Sequence, residues 1–198
     1  TRKESSAASD VYKRQIMYKL TNTEITRLLK ENLKILFDTR ETVNGHILEY
    51  FDKENISYKR QKLDVGDYTA IITVRPEIGI YRDLAFKVGV IRKTSIDEIA
   101  ENLIEKRDYR EEMKLERQLM RGKVNGIKMS MIIEDPDGLE NIRNGIYRSS
   151  LNPKAFMGKL SSLQDKYIQN TVFTSNENTG YHIHRILYYS VRNFLKEI

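Results

Sequence analysis

Two residues of opposite charge, Asp67 and Lys93, lie at the ends of neighbouring predicted strands. The segment that holds them reads L-D-V-G-D-Y-T-A-I-I-T-V-R, passes Pro76 and Gly79, and returns as D-L-A-F-K-V-G-V-I-R-K. Its Val, Ile, Tyr and Phe content around these turn residues predicts a β-hairpin. Antiparallel pairing then brings Asp67 beside Lys93 at one edge of the sheet. A carboxylate that binds a divalent cation beside an ammonium that meets phosphate is suited to metal-dependent phosphodiester hydrolysis.

A second group of charged residues follows the apolar run Leu33 to Phe37, which predicts a buried strand. Asp38, Arg40 and Glu41 come directly after it, in the string D-T-R-E. Carboxylates at the end of a buried strand have a rigid platform, which favours catalysis. The alternative is a local ion pair that only ends the strand.

These strings resemble the nuclease domain of the XPF-type endonucleases, a branch of the PD-(D/E)XK restriction-endonuclease-like superfamily. The single-domain form carried by phages is especially similar. The family signature G-D, followed by E-R-K-x-x-x-D, is matched by Gly66-Asp67 and by Arg92-Lys93 with Asp97. The D-T-R-E string matches the family's D-x-R-E, and the similarity includes Y-R-S-S-L-N-P from Tyr147 onward. It covers nearly everything after residue 17.

The resemblance implies an α/β fold with a restriction-endonuclease-like mixed sheet of about five strands flanked by helices, and strands and helices do alternate along the sequence. It further implies a DNA endonuclease that requires Mg²⁺ or Mn²⁺ and acts on branched or flap DNA. Lys93 would position the attacking water, and Asp97 would orient Lys93 or Arg92. The implied metal ligands are Asp67, Glu41 and Asp38.

One position departs from the family signature. Ile91 stands where the family has the glutamate of E-R-K, and an aliphatic side chain offers no lone pair to a hard cation. Three interpretations stay open. A neighbouring carboxylate takes over the ligand role, the chain has weak or no activity, or the residue is a sequence error or an introduced substitution.

Several basic and aromatic residues are candidate DNA contacts. Arg107 and Arg110 continue the inward face of a predicted helix from Ser95 or Ile96 to about Met120, although a bend would turn them to water. Residues before and at the predicted helix start Asn152-Pro153 could meet phosphate, although an ordinary capped helix start explains them equally well. The predicted contacts are Arg40, Arg92, Arg107, Arg110, Tyr147, Arg148 and Lys154.

A basic run, Lys59, Arg60 and Lys62, lies on or after a predicted half-exposed strand. Such a run is usually a solvated edge, and it could also follow a phosphate backbone.

Composition limits the remaining choices. The chain has 198 residues, a formal charge of +6 and no cysteine, which suits one domain without disulfides or thiolate metal sites. Residues 1–16 are polar and aperiodic and predict a disordered tail or an assembly scar, with the nuclease-like domain in 17–198. No run is long enough to span a bilayer. We therefore expect DNA rather than a membrane as partner and a cytoplasmic location in a bacterial or phage-infected cell, and we leave a homodimer open.

A function of another class also fits the sequence. If Ile91 removes the chemistry, the chain is a catalytically inactive DNA-binding module, or a structural partner of an active nuclease, with the same fold. The basic charge favours a polyanionic partner and is equally compatible with an ordinary basic surface.

Overall fold

The computed structural model describes residues 19–103 and 114–197. Helices and strands alternate along this part of the chain, with a short 3-10 helix at Pro76–Ile78. The strands are β1 (Leu33–Phe37), β2 (Tyr58–Arg60), β3 (Tyr68–Ile72), β4 (Leu84–Ala85), β5 (Val88–Lys93), β6 (Lys128–Ile133) and β7 (Ile168–Phe173). The helices are α1 (Asn22–Asn32), α2 (Gly45–Lys53), α3 (Ile96–Leu103), α4 (Lys114–Val124), α5 (Gly138–Asn144), α6 (Pro153–Tyr167) and α7 (Asn176–Glu197).

All seven strands form one mixed sheet in the order β2-β1-β3-β5-β6-β7, with the two-residue β4 paired to β3. β1 runs antiparallel to β3, which runs antiparallel to β5, while the pairs β1–β2, β5–β6 and β6–β7 are parallel. The carboxyl ends of β1, β2, β5, β6 and β7 therefore lie at the same end of the sheet as the amino end of β3. We call this end of the sheet the site end.

Helices cover both faces of the sheet, so each face has its own core. The first core joins α1, α2 and α7 to one face, where Phe37, Tyr68 and Val90 are buried. The second core joins α3, α4, α5 and α6 to the other face, where Ile91 and Met131 are buried. Because successive strand residues point to opposite faces, Lys93 shares the face of Ile91, and Arg92 shares the face of Val90.

The structure confirms the mixed α/β fold and the predicted hairpin, in which Tyr68 of β3 pairs with Val90 of β5. The sheet has seven strands rather than about five, because β2 and β4 contain only three and two residues and depend on pairing with their neighbours. The first helix is capped by Thr21, which forms a capping box with Glu24. Part of the predicted long helix lies outside the described residues.

No described helix has both the length and the apolar composition that crossing a membrane requires.

Candidate active site

The hairpin fixes the Asp67 carboxylate at the site end. Its Oδ2 accepts a 2.8 Å hydrogen bond from the Arg92 backbone N–H, and the Asp67 N–H donates to the Val90 carbonyl at 2.8 Å. Gly66 precedes it with a φ of 80°, and a Cβ there would lie 3.3 Å from the Val90 carbonyl oxygen. Glycine adopts this left-handed conformation without the strain of a side chain. The G-D string is thus the turn that sets the carboxylate against β5.

Asp67 lies in a strongly perturbed electrostatic environment. The pKa of Asp67 is raised to about 6: burial is the largest cause and the Glu41 carboxylate adds to it, while the Arg92 N–H hydrogen bond and the charges of Lys93 and Arg92 oppose it. The geometry thus brings together three predicted residues, Asp67, Glu41 and Lys93. Within the described residues, Asp67 Oδ1 has no hydrogen-bond partner.

The raised pKa of Asp67 predicts that the free energy of unfolding decreases as pH rises. Asp67 titrates near 3.8 when unfolded and near 6 when folded, so between these values the folded state keeps a proton that the unfolded chain has lost. Raising pH through this window lowers the free energy of unfolding by about 1–2 kcal/mol, after allowance for the partial exposure of the carboxylate. Asp67→Asn removes this loss.

Urea denaturation in EDTA measures the effect. We expect Asp67→Asn to be more stable than wild type at about pH 7.5, with the difference shrinking towards about pH 4. A difference that does not change with pH would contradict the assigned environment.

Asp38 lies next to Asp67 on the neighbouring strand end, where its N–H donates to the Asp67 carbonyl at 2.8 Å. Its carboxylate is buried and accepts hydrogen bonds from the Arg40 N–H, the Arg40 Nε–H and the Leu63 N–H. Burial opposes ionisation, but these hydrogen bonds lower the pKa of Asp38 overall. Asp38 therefore anchors the segment after β2 to the end of β1, and its role as a metal ligand stays a prediction.

The buried Arg92 side chain lies on the face of the sheet opposite Lys93 and binds two carboxylates, and we call it the clamp. Its side chain is 4% exposed and donates to Glu41 Oε2 at 3.0 Å and to Glu134 Oε2 at 2.7 Å. A third bond, 2.8 Å long, reaches the Val43 carbonyl. These three bonds hold the guanidinium within the protein, and the Arg92–DNA contact stays a prediction. The clamp holds Glu41, which also accepts a 3.2 Å hydrogen bond from the Tyr68 hydroxyl.

His46 and Glu134 complete this network, and His46 was missed from the sequence. Glu134 Oε1 lies 2.7 Å from His46 Nε2, which joins α2 to the end of β6. The position of Glu134 directly after a buried strand was a signal for a role at the site end. No comparable pattern marks His46, because its partner is far away in sequence.

Lys93 is held by Glu98 rather than by Asp97. Lys93 Nζ donates to Glu98 Oε1 at 2.7 Å, and Glu98 Oε2 accepts from Thr94. Asp97 instead accepts a 2.7 Å hydrogen bond from the Arg148 N–H. Asp97 thus ties the loop before α6 to α3, and its role in orienting Lys93 or Arg92 stays a prediction.

A sequence signal for Glu98 was present in the string S-x-x-E. The Glu98 N–H donates to Ser95 Oγ at 3.2 Å, as in the capping box that this spacing predicts. The carboxylate of such a box lies in the first turn of its helix, beside the end of the preceding strand.

Ile91 lies two residues before Lys93 on the same face, is 1% exposed and belongs to the second core. It pairs in register with Met131 of β6. The position at which the family has a metal-binding glutamate is therefore filled by packed hydrocarbon.

Three of the remaining DNA candidates reach solvent. The Arg40 side chain is 63% exposed and is fixed by Asp38 and the Leu63 carbonyl. The hydrogen bond to Asp38 raises the pKa of Arg40, and the charge of Asp67 adds to the effect. Arg148 and Lys154 are exposed around the start of α6.

Tyr147 has a structural role. Its ring packs edge-on against Phe156, and its hydroxyl donates to the Leu151 carbonyl at 2.5 Å. Tyr147 thus stabilises the loop before α6, which accounts for its hydroxyl without DNA. Arg107 and Arg110 lie outside the described residues.

Within residues 19–103 and 114–197, no three acidic, histidine or cysteine side chains are grouped as a metal site. The carboxylates of Asp67 and Glu41 repel each other, and this repulsion is one cause of the raised Asp67 pKa. Glu41 Oε1, like Asp67 Oδ1, has no hydrogen-bond partner in the part of the chain that the structure describes. Mg²⁺ commonly binds one or two carboxylates together with substrate phosphates, and this pair suits that mode.

Comparison with known families matches residues 37–186 to the ERCC4 domain. The chain belongs to the ERCC4 domain family. The match includes both strand ends of the site and confirms the resemblance to XPF-type nucleases. Comparison with curated proteins found no match to this ERCC4 domain.

Two solved structures have the same fold as this ERCC4 domain. XPF from Aeropyrum pernix has 18% sequence identity and a TM-score of 0.56, and the alignment covers 80% of this chain and 65% of that chain. XPF from Aeropyrum pernix in complex with DNA has 17% identity and a TM-score of 0.54, with 81% and 66% covered. The chain thus spans just under two thirds of the length of both structures.

Proposed function

We propose that this ERCC4 domain is a divalent-metal-dependent DNA endonuclease that acts on branched or flap DNA. The observation that carries the proposal is the half-buried Asp67 carboxylate at the site end, with a pKa of about 6, beside Glu41 and Lys93. DNA as partner is further supported by the similarity to an XPF structure described as a complex with DNA. A homodimer stays a prediction.

In this proposal Asp67 and Glu41 hold Mg²⁺ or Mn²⁺ together with a DNA phosphate. The metal, when bound, stabilises negative charge on the phosphate and lowers the pKa of water. Lys93 lies on the face of the sheet opposite Arg92 and supplies a positive charge that orients the attacking water, and its tether to Glu98 limits the positions its ammonium can take. Arg92 keeps Glu41 at the site end.

Cleavage of flap, fork and duplex DNA with Mn²⁺ tests the proposal. We expect slow nicking near the branch of flap or fork DNA, weaker nicking of duplex, and none in EDTA, because the two carboxylates alone give no Lewis acid. Absence of cleavage of all three substrates with either metal would overturn the proposal. Equal cleavage in EDTA would remove its metal dependence.

A second candidate function is a catalytically inactive DNA-binding module or nuclease partner, and the buried Ile91 favours it. It predicts salt-dependent DNA binding by the wild type without turnover. The cleavage assay separates the candidates, because only the endonuclease cuts DNA before residue 91 is changed.

A further inference from the structure

One edge of the sheet carries an unneutralised run of positive charge. Lys59, Arg60 and Lys62 are all exposed, and we call them the basic edge. β2, which contains the first two, is an outer strand of the sheet. Lys59 and Lys62 form no ion pair with any residue that the structure describes. Arg60 donates to a carbonyl, which fixes the guanidinium without neutralising its charge.

The basic edge leads directly to the site end. Parallel pairing aligns Arg60 with Phe37, and the Gln61 N–H donates to the Phe37 carbonyl at 2.9 Å. The Arg60 guanidinium donates to the Thr39 carbonyl at 2.6 Å, and Thr39 stands between Asp38 and Arg40 in the sequence. Arg40 lies close enough to Asp67 for the charge of Asp67 to raise the pKa of Arg40. Its exposed guanidinium therefore continues the positively charged surface from the basic edge towards the candidate site.

We propose that the basic edge binds the phosphate backbone of the DNA whose phosphate lies at Asp67. The inference rests on the proposed function and adds the path of the DNA over the protein. Exposed lysines that form no ion pair can contact phosphates and release counterions. Charged residues on an outer strand also prevent strand pairing between molecules, but that role does not require a link to the site end.

The test is the salt dependence of binding to flap DNA, measured by fluorescence anisotropy in EDTA, so cleavage plays no part. The variant is Lys59→Gln with Lys62→Gln, which leaves Arg60 and its carbonyl contact in place. The matched control is Lys87→Gln with Lys128→Gln. Both lysines are exposed and lie at the end of the sheet opposite the site end, Lys87 just before β5 and Lys128 at the start of β6. Their replacement changes the net charge by the same amount as in the basic-edge variant.

We expect the basic-edge variant to bind flap DNA at least about tenfold more weakly at about 0.1 M salt. The slope of log affinity against log salt should fall in magnitude by about 2, which is about 1 for each phosphate that a lysine no longer neutralises. The control variant should keep the wild-type slope. Thermal melting of both variants checks that the fold is intact.

Equal changes in the two variants would overturn the inference, since a general effect of net charge would explain them. An unchanged slope in the basic-edge variant would also overturn it, while leaving the proposed function in place. Wild-type protein that fails to bind flap DNA in a salt-dependent way would instead reject the proposed function itself.

Discussion

Replacing Ile91 with glutamate is expected to raise Mn²⁺-dependent DNA cleavage on the order of 100-fold, equivalent to about 2.7 kcal/mol of transition-state stabilisation. Residue 91 shares a strand face with Lys93 and lies on β5, against which the Asp67 turn packs. A carboxylate there adds a hard oxygen ligand that hydrocarbon cannot supply. Initial rates on flap DNA, for wild type and variant in parallel, measure the gain.

The same substitution should lower stability when no metal is present. Position 91 is 1% exposed in the second core, and an unpaired carboxylate there loses solvation at a cost of about 3–5 kcal/mol. Mn²⁺ should recover part of this loss, because ions that bind only the folded state stabilise it. Ile91→Gln is the matched control, because glutamine is polar and has the size of glutamate but carries no charge. Cleavage by Ile91→Glu no faster than by Ile91→Gln would contradict the expected ligand role.

Replacing Arg92 with methionine should reduce the free energy of unfolding by about 3–5 kcal/mol. Methionine keeps much of the side-chain volume but leaves Glu41 and Glu134 without their cation, and the Glu134 side chain is only 2% exposed. Uncompensated buried charge is among the most destabilising changes in proteins. Urea denaturation at neutral pH measures the loss.

The control for this prediction is Arg143→Met, which breaks an ion pair to Glu140 whose side chains are 65% and 62% exposed. Exposed pairs contribute little, so a change below about 1 kcal/mol is expected there. Adding Glu134→Gln to Arg92→Met should recover part of the stability by removing one unpaired charge. If Arg92→Met costs no more than Arg143→Met, the clamp is not a stabilising feature.

Much of the site end follows from local sequence patterns. Turn residues and β-branched runs predict the hairpin, and antiparallel pairing alone places Asp67 near Lys93. Strand alternation could also have separated Arg92 from Lys93, because neighbours in a strand face opposite sides of the sheet. In the structure Arg92 contacts Glu41 on one side of the sheet, while Lys93 contacts Glu98 on the other.

Long-range contacts account for what the sequence did not predict. Asp38 and Glu41 are three residues apart after the same strand, but Leu63, which donates to Asp38, and Arg92, which donates to Glu41, are both distant from them in sequence. The bond between His46 and Glu134 joins residues 88 positions apart. Neither periodicity nor capping patterns encode such contacts, since both are local.

Binding of Mn²⁺ in the presence of flap DNA, followed by the electron paramagnetic resonance signal of free Mn²⁺, tests the role of Asp67 most directly. We predict a protein-dependent Mn²⁺ site that forms with DNA, disappears in Asp67→Ala and persists in Asp64→Ala, which removes an exposed acid nearby. Equal Mn²⁺ binding by wild type and Asp67→Ala would contradict that role.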